Sequence, residues 1–294
     1  GLCLAHSEDG IHWLGYPENP LVPGWHDTSA CMYYDRRVGR YVVYTRPPII
    51  AGPHGANRKI ARIESPDLLD WSLPRVVLDT DEADAPAEQL AGREAKARGR
   101  DRQWYGITAF PWRNATLGLG WLYDVVSGHI SLELLHSYDG IDWRREPQRK
   151  PWLADGIPDG MDGHMYVPSA NPPLIVGNEM WFYISAANRT HHQQTSEASK
   201  PKQMRLLALP LDRWVSYGTQ AEREGAQLST PFAWRGGNLT LNAAIETGGY
   251  ILVELCDLAG RPLQGYDLDK INPLTGPSDG IDLAVTYWGE YRKE

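Results

Sequence analysis

Short runs of β-branched and aromatic residues recur along the first two thirds of the chain, separated by Gly, Asp and Pro turns. Runs of this length between turn residues are typical of β-strands. The pattern predicts strands at residues 31–34, 40–46, 59–64, 104–111, 118–125, 129–137, 164–167, 179–185 and 203–209. If the chain is built from repeats, each repeat would hold about four of these strands, the number in one blade of a β-propeller.

One turn motif is repeated. Segments 7–13, 65–71 and 137–143 each begin with Ser, place an Asp two residues later and end in Trp, and their tryptophans are 58 and 72 residues apart. A weaker copy, 211–214, ends 71 residues further on. Repeats at this scale indicate stacked or radial modules. We expect the central Asp of each copy to cap a turn and each Trp to pack between blades.

Three stretches depart from this pattern. Residues 83–100 are rich in Ala, Glu and Arg and predict a helical insertion that borders the funnel of a propeller. Residues 190–202 are polar and predict an exposed loop. After Trp214 the Trp-ended repeat stops, which places a domain boundary near residue 220.

The sequence therefore predicts two domains, β-propeller blades at 1–220 and a small sandwich-like or ring-closing β module at 221–294. Strands of the second domain are predicted at 228–234, 238–244, 250–257 and 283–288.

Composition narrows the class of function. The chain has 294 residues and a net charge of −8, which argues against a general nucleic-acid binder. It contains 12 Trp and 15 Tyr but only 3 Phe. Trp and Tyr combine a flat apolar face with a polar group, which suits stacking on sugar rings as well as filling a β core. From composition alone, stacking on a carbohydrate and filling the core both remain open roles for these side chains.

The spacing of the cysteines and the length of the apolar runs argue against disulfide-rich, zinc-binding and membrane-spanning proteins. Cys3, Cys31 and Cys256 are too few and too far apart for a disulfide framework or a zinc knuckle, and we expect all three in the core. No P-loop, nucleophile elbow or dinucleotide glycine motif occurs, so no metal and no cofactor are expected. No run is long enough to span a membrane, and no signal peptide is visible, which favours the cytoplasm. The chain opens on Gly1 inside a strand-like run, as a fragment would.

Chemistry concentrates in residues 159–168, D-G-M-D-G-H-M-Y-V-P, where Asp162, His164 and Tyr166 lie close together between glycines. A strand-like run that begins at Glu179 follows. Polar groups crowded before a strand indicate a site at the rim of a sheet, although a polar surface turn has the same composition.

These motifs together resemble the five-bladed propeller proteins related to glycoside hydrolase families 32, 43 and 68, and most closely the family-32-like branch. The resemblance rests on the S-x-D-G-I-x-W turns and on W-H-D-T, Y-G-I, M-D-G-H-M-Y, E-M-W-F-Y and G-R-P-L-Q-G-Y, at 25–28, 105–107, 161–166, 179–183 and 260–266. It implies an all-β, five-bladed β-propeller with a small C-terminal β module. The visible blades are fewer than five, so the ring would need the C-terminal strands, a missing N-terminal segment or a second copy of the chain.

The resemblance also implies where catalysis would lie. Acidic residues at the first strands of the blades meet around the sugar, and Asp27 and Asp162 occupy such positions, with Glu179 as the third candidate. A pair of carboxylates would supply the proton donor and the nucleophile or base of glycoside hydrolysis. One position departs from the pattern, because Gln103 stands where related sequences often carry a carboxylate.

Substrate-binding residues are expected around these acids. Histidines and tyrosines can hydrogen-bond to sugar hydroxyls, and arginines can bind a carboxylate or hydroxyl of the substrate. The predicted binding residues are His26, Arg46, Arg62, Tyr105, His164, Tyr166 and His191. For Arg46 and Arg62, a salt bridge at the rim of the sheet is the alternative.

Three functions remain open at this point. The first is a glycoside hydrolase, which the crowding of Asp162, His164 and Tyr166 favours. The second is a carbohydrate-binding propeller without catalysis, which Gln103 favours. The third is a polysaccharide lyase, in which His and Tyr abstract a proton next to a uronate and arginines neutralise its acid.

Overall fold

The computed structural model describes residues 1–24, 26, 29–47, 50–52, 55–81, 83–84, 102–153, 164–193, 202–219 and 223–288. The secondary-structure elements among these residues are β-strands, apart from one 3-10 helix at His191–Gln193. The predicted all-β class is therefore confirmed. No helix in the described ranges has the length and hydropathy to cross a membrane.

The chain divides into two compact units. The first comprises Gly1–Pro173 and Phe182–Leu207, and the second comprises Leu174–Trp181 and Ala208–Glu294. The division of the chain at residue 220 stays a prediction.

The first unit begins with two small sheets and one sheet of blade size. Strands β1 and β2 form an antiparallel pair, β5 and β6 form a hairpin, and the larger antiparallel sheet has the order β3-β4-β7-β8. The bounds are β1 Ala5–His6, β2 Leu14–Gly15, β3 Cys31–Asp35, β4 Arg40–Thr45, β5 Ile50–Gly52, β6 Gly55–Asn57, β7 Ile60–Ser65 and β8 Arg75–Leu78. Four strands joined in this order are the pattern of a propeller blade.

An eight-stranded sheet follows, in which β9, β10, β11 and β12 pair in sequence in the manner of a second blade. The strand β13 joins β11 through a parallel bridge between Ile130 and Met165, and β15 pairs with β13 and with β16. The strand β14 pairs with Glu179–Trp181 at the start of β15. The bounds are β9 Arg102–Trp112, β10 Ala115–Asp124, β11 Ile130–Ser137, β12 Arg144–Arg145, β13 Met165–Pro168, β14 Leu174–Val176, β15 Glu179–Ala187 and β16 Lys202–Pro210. All nine strands predicted for the first two thirds of the chain are confirmed, with ends shifted by one to three residues.

The repeated turns are built alike. In each copy the Asp carboxylate accepts hydrogen bonds at 2.8–2.9 Å from the backbone N–H groups two and three residues further on, and it also accepts one from the Ser hydroxyl. In the first copy Asp9 also contacts Nδ1 of His12. The turns follow β1, β7 and β11 and lead into β2, β8 and β12. The predicted capping role of Asp9, Asp67 and Asp139 is confirmed.

The main core lies between the two blade-like sheets. Tyr44 and Ile60 of the first sheet pack with Trp104, Ile107 and Leu135 of the second, and all five side chains are almost fully buried. Burying such side chains contributes about 1.5–3 kcal/mol each. Trp143, at the end of the third turn, packs on this core and meets the ring of Tyr44 edge to face.

The second unit has a core of its own. Strands β17 and β20 form one antiparallel pair, and β18 and β19 form another. Their bounds are β17 Thr240–Ile245, β18 Tyr250–Ile251, β19 Leu274–Thr275 and β20 Ser278–Ala284. Ile271, Val285 and Tyr287 are buried at its centre.

Several expectations are wrong. Residues 228–234 form no strand and are exposed, because these apolar residues find no partner strand with which to pair. Trp13 is 62% exposed, since the two-residue strands on either side of its turn offer no sheet face to cover it. Among the cysteines only Cys31 is buried, while Cys3 is exposed. The predicted helix at 83–100 lies outside the described residues except for Ala83 and Asp84.

Candidate functional site

Two tyrosines on neighbouring strands form the centre of the site. Tyr105 stands near the start of β9, and Tyr123 stands near the end of β10. Antiparallel pairing brings these strand ends together, and Tyr123 lies opposite Gln103 in the register. The two rings meet edge to face with 5.6 Å between centroids. A sheet edge therefore carries two phenol groups side by side.

Two histidines complete these tyrosines. The Oη of Tyr105 lies 3.0 Å from Nε2 of His191, and the Oη of Tyr123 lies 3.0 Å from Nε2 of His192. The histidines belong to the 3-10 helix, whose first N–H donates to the carbonyl of Gly128 at 2.7 Å.

Gly128 permits this close approach. Its φ is +78°, and a Cβ there would lie 2.9 Å from the ring of His192. A side chain at this position would be strained by the backbone and would also push the histidine away.

Two arginines lie against the tyrosine rings. The guanidinium of Arg46 is 4.4 Å from the ring centroid of Tyr105, and that of Arg58 is 5.8 Å from the same centroid and 5.2 Å from that of Tyr123. These distances are those of cation–π contacts. Arg58 also donates to Oε1 of Gln103 at 2.8 Å. We call Arg46, Arg58, Tyr105, Tyr123, His191 and His192 the Tyr–His–Arg cluster.

The cluster combines buried and accessible groups. Tyr123 and Arg46 are buried, whereas Arg58, Tyr105 and His191 are half-buried and His192 is exposed. Burial, followed by the charge of Arg58, lowers the pKa of Arg46. Because Tyr105, His191 and His192 keep part of their surface exposed, a ligand can reach the cluster at these residues.

His26 contacts the strand that precedes Arg46. Its Nδ1 lies 3.1 Å from Oγ1 of Thr45, the residue before Arg46. Burial lowers the pKa of His26, so its imidazole is neutral near pH 7.

His164 is held at the ends of three strands. Its carbonyl accepts from the N–H of Ile130 at 2.9 Å, and its own N–H donates to the carbonyl of Ala187 at 3.1 Å. Its ring lies 4.5 Å from that of His129. Tyr166, two residues further on, is buried in β13.

The remaining predicted residues fall elsewhere. Asp27 and Asp162 lie outside the described residues. Glu179 lies in the second unit, is exposed and accepts a hydrogen bond from Nε1 of Trp181 at 2.9 Å. Arg62 is buried between the two blade-like sheets, where it donates to Glu64 at 2.9 Å and to the carbonyl of Asp139 at 3.0 Å. The structure therefore brings Arg46, Tyr105 and His191 together, and the contacts of Arg62 are those of a residue that joins sheets.

The predicted binding residues leave out three members of the cluster, Arg58, Tyr123 and His192. Arg58 and Tyr123 stand at or beside an end of a predicted strand, and strand ends are where sheets present groups to a ligand. That position was the available signal, but nothing in the sequence pairs these residues with each other or with Tyr105.

A cavity of about 190 Å³ is lined by sequence neighbours of Tyr123 and contains no residue of the cluster in its lining. It is lined by Leu122 and Asp124, which alternate with Tyr123 along β10 and therefore face the other side of the sheet. Its charged residues Glu133 and Arg149 are engaged in ion pairs with Arg145 and Asp81. We regard this cavity as a structural gap between charged side chains.

The described residues contain no group of three or more His, Cys, Asp or Glu side chains placed to hold a metal ion. The cluster instead offers phenol and imidazole groups that can exchange a proton, guanidinium groups that bind anions, and aromatic surface on which a sugar can stack.

No protein-family model matches the chain, and no curated protein matches it in sequence. Its structure is similar to that of an N-acetylgalactosamine deacetylase from F. plautii, with 17% identity, a TM-score of 0.40 and coverage of 64% of this chain and 50% of that one. It is also similar to the GH32 β-fructofuranosidase of Bombyx mori, with 16% identity, a TM-score of 0.40 and coverage of 63% and 33%. A thermostable family-43 glycoside hydrolase shows 13% identity, a TM-score of 0.48 and coverage of 77% and 70%.

The chain thus spans half of the length of the deacetylase and one third of that of the fructofuranosidase. At these identities and TM-scores, the similarities establish neither an activity nor a substrate for this chain.

Proposed function

We propose that the chain is a carbohydrate-active enzyme that cleaves a glycosidic bond, with Asp27 and Asp162 as its acid and its nucleophile or base. One observation carries this proposal: the described neighbours of both acids are bonded to strand residues that shortly precede members of the Tyr–His–Arg cluster in the chain. His26 precedes Asp27 in sequence and contacts the residue next to Arg46. His164 follows Asp162 by two residues, and its backbone is bonded to Ile130 and Ala187, near Gly128 and His191 in the chain.

The chemistry of the cluster supports the same reaction. The half-buried Tyr105 offers aromatic surface, and His191 and His192 hold the phenol groups of Tyr105 and Tyr123 in place through hydrogen bonds. Hydrolysis then requires one carboxyl group to protonate the leaving oxygen and a second to act as nucleophile or to activate water. Two acids that share a pocket repel each other, which raises the pKa of one and separates their roles.

The test is the turnover of a panel of aryl glycosides by the wild type, Asp27→Asn and Asp162→Asn. We expect each variant to lose at least about 100-fold in kcat, the range of acid–base catalysis, with little change in thermal stability. Asp70→Asn is the matched control, because Asp70 is an exposed acid at a turn. Equal turnover by all four proteins would favour a carbohydrate-binding module without catalysis.

A polysaccharide lyase is the second candidate, and the two Tyr–His pairs favour it. In β-elimination a base removes the proton next to a uronate carboxyl group, the C–O bond to the leaving sugar breaks, a C=C bond forms, and the leaving oxygen takes a proton. Tyr105 and His191, 3.0 Å apart, have suitable chemistry, and Arg46 lies over the tyrosine ring. Cleavage in H₂¹⁸O separates the two reactions, because hydrolysis incorporates the label into a product and elimination does not.

The complete architecture is also a proposal. We infer a five-bladed ring of the family-32-like kind, to which residues 1–220 contribute blades and residues 221–294 contribute a C-terminal module. The four-stranded sheet β3-β4-β7-β8 and the sequential pairing of β9, β10, β11 and β12 within the eight-stranded sheet support it. Sedimentation of the 33.0 kDa chain tests whether a second copy completes the ring.

A further inference from the structure

Two polar residues, Asn188 and Arg189, lie between the end of β15 and the 3-10 helix that carries His191. We propose that they are specificity-determining residues that bind one edge of a sugar, with a hydrogen-bond donor of the sugar at Asn188 and an acceptor of the sugar at Arg189. The inference rests on the proposed function for the class of ligand, a carbohydrate. We call the two residues the Asn–Arg pair.

Backbone contacts hold the Asn–Arg pair between two parts of the site. On one side, the carbonyl of Ala187 accepts from the N–H of His164 at 3.1 Å. On the other side, the N–H of His191 donates to the carbonyl of Gly128 at 2.7 Å. Only residues 188–190 separate these two anchored points, so the pair must lie between His164 and the Tyr–His–Arg cluster.

One polar atom of each residue is buried without a hydrogen bond. Oδ1 of Asn188 and Nε of Arg189 are shielded from solvent and have no hydrogen-bond partner among the described residues. A buried acceptor or charged donor that stays unpaired costs free energy. Both side chains as a whole are half-buried, so a ligand can approach them, and rotation about their outer torsions turns the two atoms toward it.

The surroundings of the pair differ from those of other unpaired atoms. Nε1 of Trp104, Trp121 and Trp143 also has no hydrogen-bond partner in the described part of the chain. Trp104 and Trp121 are buried, and Trp143 packs on the main core, so these neutral indole groups lie among apolar side chains. The Asn–Arg pair instead lies at a bend outside any strand, includes a cation and adjoins the candidate site. This combination, and not the lack of a partner alone, points to a ligand.

The two atoms select the chemistry of the ligand. The Oδ1 of an Asn accepts hydrogen bonds and the Nε–H of an Arg donates them, so the ligand must offer a donor next to an acceptor. Neighbouring Cα atoms are about 3.8 Å apart, which lets one edge of a sugar span both residues. Two vicinal hydroxyl groups supply this arrangement, and so does an acetamido group through its N–H and C=O. The experiment has an arm for each.

The first measurement is calorimetric titration of the whole chain with methyl glycosides in matched forms: the parent sugar, monodeoxy forms that each lack one hydroxyl group, and the acetamido form. We expect loss of either hydroxyl group at the pair to weaken binding about tenfold or more, because the buried atoms are again left unpaired. Tighter binding of the acetamido form than of the parent assigns the acetamido group instead. This series needs no variant of the protein.

The second measurement uses Asn188→Leu and Arg189→Met, which remove the polar atoms and keep side chains of similar length. We expect both variants to lose the preference for the parent sugar over its deoxy forms. We also expect the free variants to melt no lower than the wild type, because an apolar group replaces an unpaired buried polar atom. A purely structural role gives the opposite result, a lower melting temperature with unchanged discrimination.

The matched controls are Asn171→Leu and Arg36→Met, at exposed residues of the same unit. Both should bind the parent and the deoxy forms as the wild type does. If Asn188→Leu does not fold, Arg189→Met and the deoxy series still decide.

Binding that is insensitive to every deoxygenation and to the acetamido group, or variants that discriminate as the wild type does, would overturn the inference. The proposed function would stand in that case if aryl glycosides are cleaved with dependence on Asp27 and Asp162. Sugar binding through the Asn–Arg pair without any cleavage would keep the inference and overturn the proposed catalysis. Failure of every sugar to bind or to be cleaved would overturn both.

Discussion

At the scale of single residues, the repeated turns contain one position that has the same backbone conformation in each copy but different surroundings. Gly10 and Gly140 occupy the same place in their turns, with φ of 75° and 72°. A Cβ on Gly10 would meet nothing within 4 Å, whereas one on Gly140 would lie 2.2 Å from Nη1 of Arg62 and 2.6 Å from Oη of Tyr44. The third copy has Leu68 at this position, with φ of 73°.

We therefore predict that Gly140→Ala destabilises the chain much more than Gly10→Ala. Both substitutions place a side chain in the left-handed region, which costs about 1–2 kcal/mol. Gly140→Ala must also displace two buried side chains, and overpacking of this kind adds about 1–3 kcal/mol. Urea unfolding of the two variants and the wild type measures the difference. Equal midpoints for the two variants would show that the contact between the third turn and Arg62 is loose.

At the scale of elements, one ionic network joins β11 and β12 to the segment after β8. Arg145 donates to Glu133 and to Asp84, each at 2.8 Å, and all three side chains are at most 8% exposed. Burial alone would lower the pKa of Arg145, but its hydrogen bonds to the two carboxylates outweigh burial and raise it. The guanidinium also lies 4.9 Å from the ring centroid of Trp104, so it contacts the main core.

Removal of this arginine should be costly. We predict that Arg145→Ala destabilises the chain by about 3–5 kcal/mol, because it removes the cation that pairs with the buried carboxylate of Glu133. Arg144→Ala is the matched control, since Arg144 is the neighbouring residue of β12 and is exposed. A shift in the urea midpoint confined to Arg145→Ala is expected. Similar midpoints for the two variants would mean that the carboxylates are solvated or protonated without penalty.

At the scale of the whole molecule, many carboxyl groups ionise more readily in the fold than in a free peptide. Hydrogen bonds to the carboxylates and nearby cations lower the pKa of Asp9, Asp35, Asp67, Asp81, Asp139 and Asp257. A lowered folded-state pKa contributes stability that is present above the unfolded value of about 3.9 and is lost as the pH falls through the folded value. Protonation of these carboxyl groups should therefore lower the stability of the folded chain as the pH falls below about 3.9.

Asp81 provides the test of this pH dependence. Its ion pair with Arg149 holds its pKa at about 2. We predict that Asp81→Asn lowers the melting temperature at pH 5 to 7, and that this difference shrinks between pH 4 and pH 2. Asp70→Asn, at an exposed acid, is the control, and thermal melting across this pH range is the measurement. A difference that stays constant down to pH 2 would show that the ion pair is not its source.

The strands of the blade-like sheets were predictable because their signal is local. Alternation of side chains, turn residues and β-branched or aromatic content act within a few residues, and β9 and β10 follow from them. The same signals fail at residues 228–234, since an apolar run becomes a strand only where another strand pairs with it. They also fail to predict the exposure of Trp13, which depends on the size of the neighbouring sheet.

By itself the sequence determined the all-β class, the three capped turns and the presence of Arg46, Tyr105 and His191 among the binding candidates. Only the tertiary structure decided that Tyr123, Arg58 and Gln103 belong beside them, and that Arg62 contacts Glu64 and Asp139 instead. The reason is physical. Capping and alternation are interactions between near neighbours in the chain, whereas the contact between Tyr105 and His191 spans 86 residues and depends on strand register and on the close approach at Gly128.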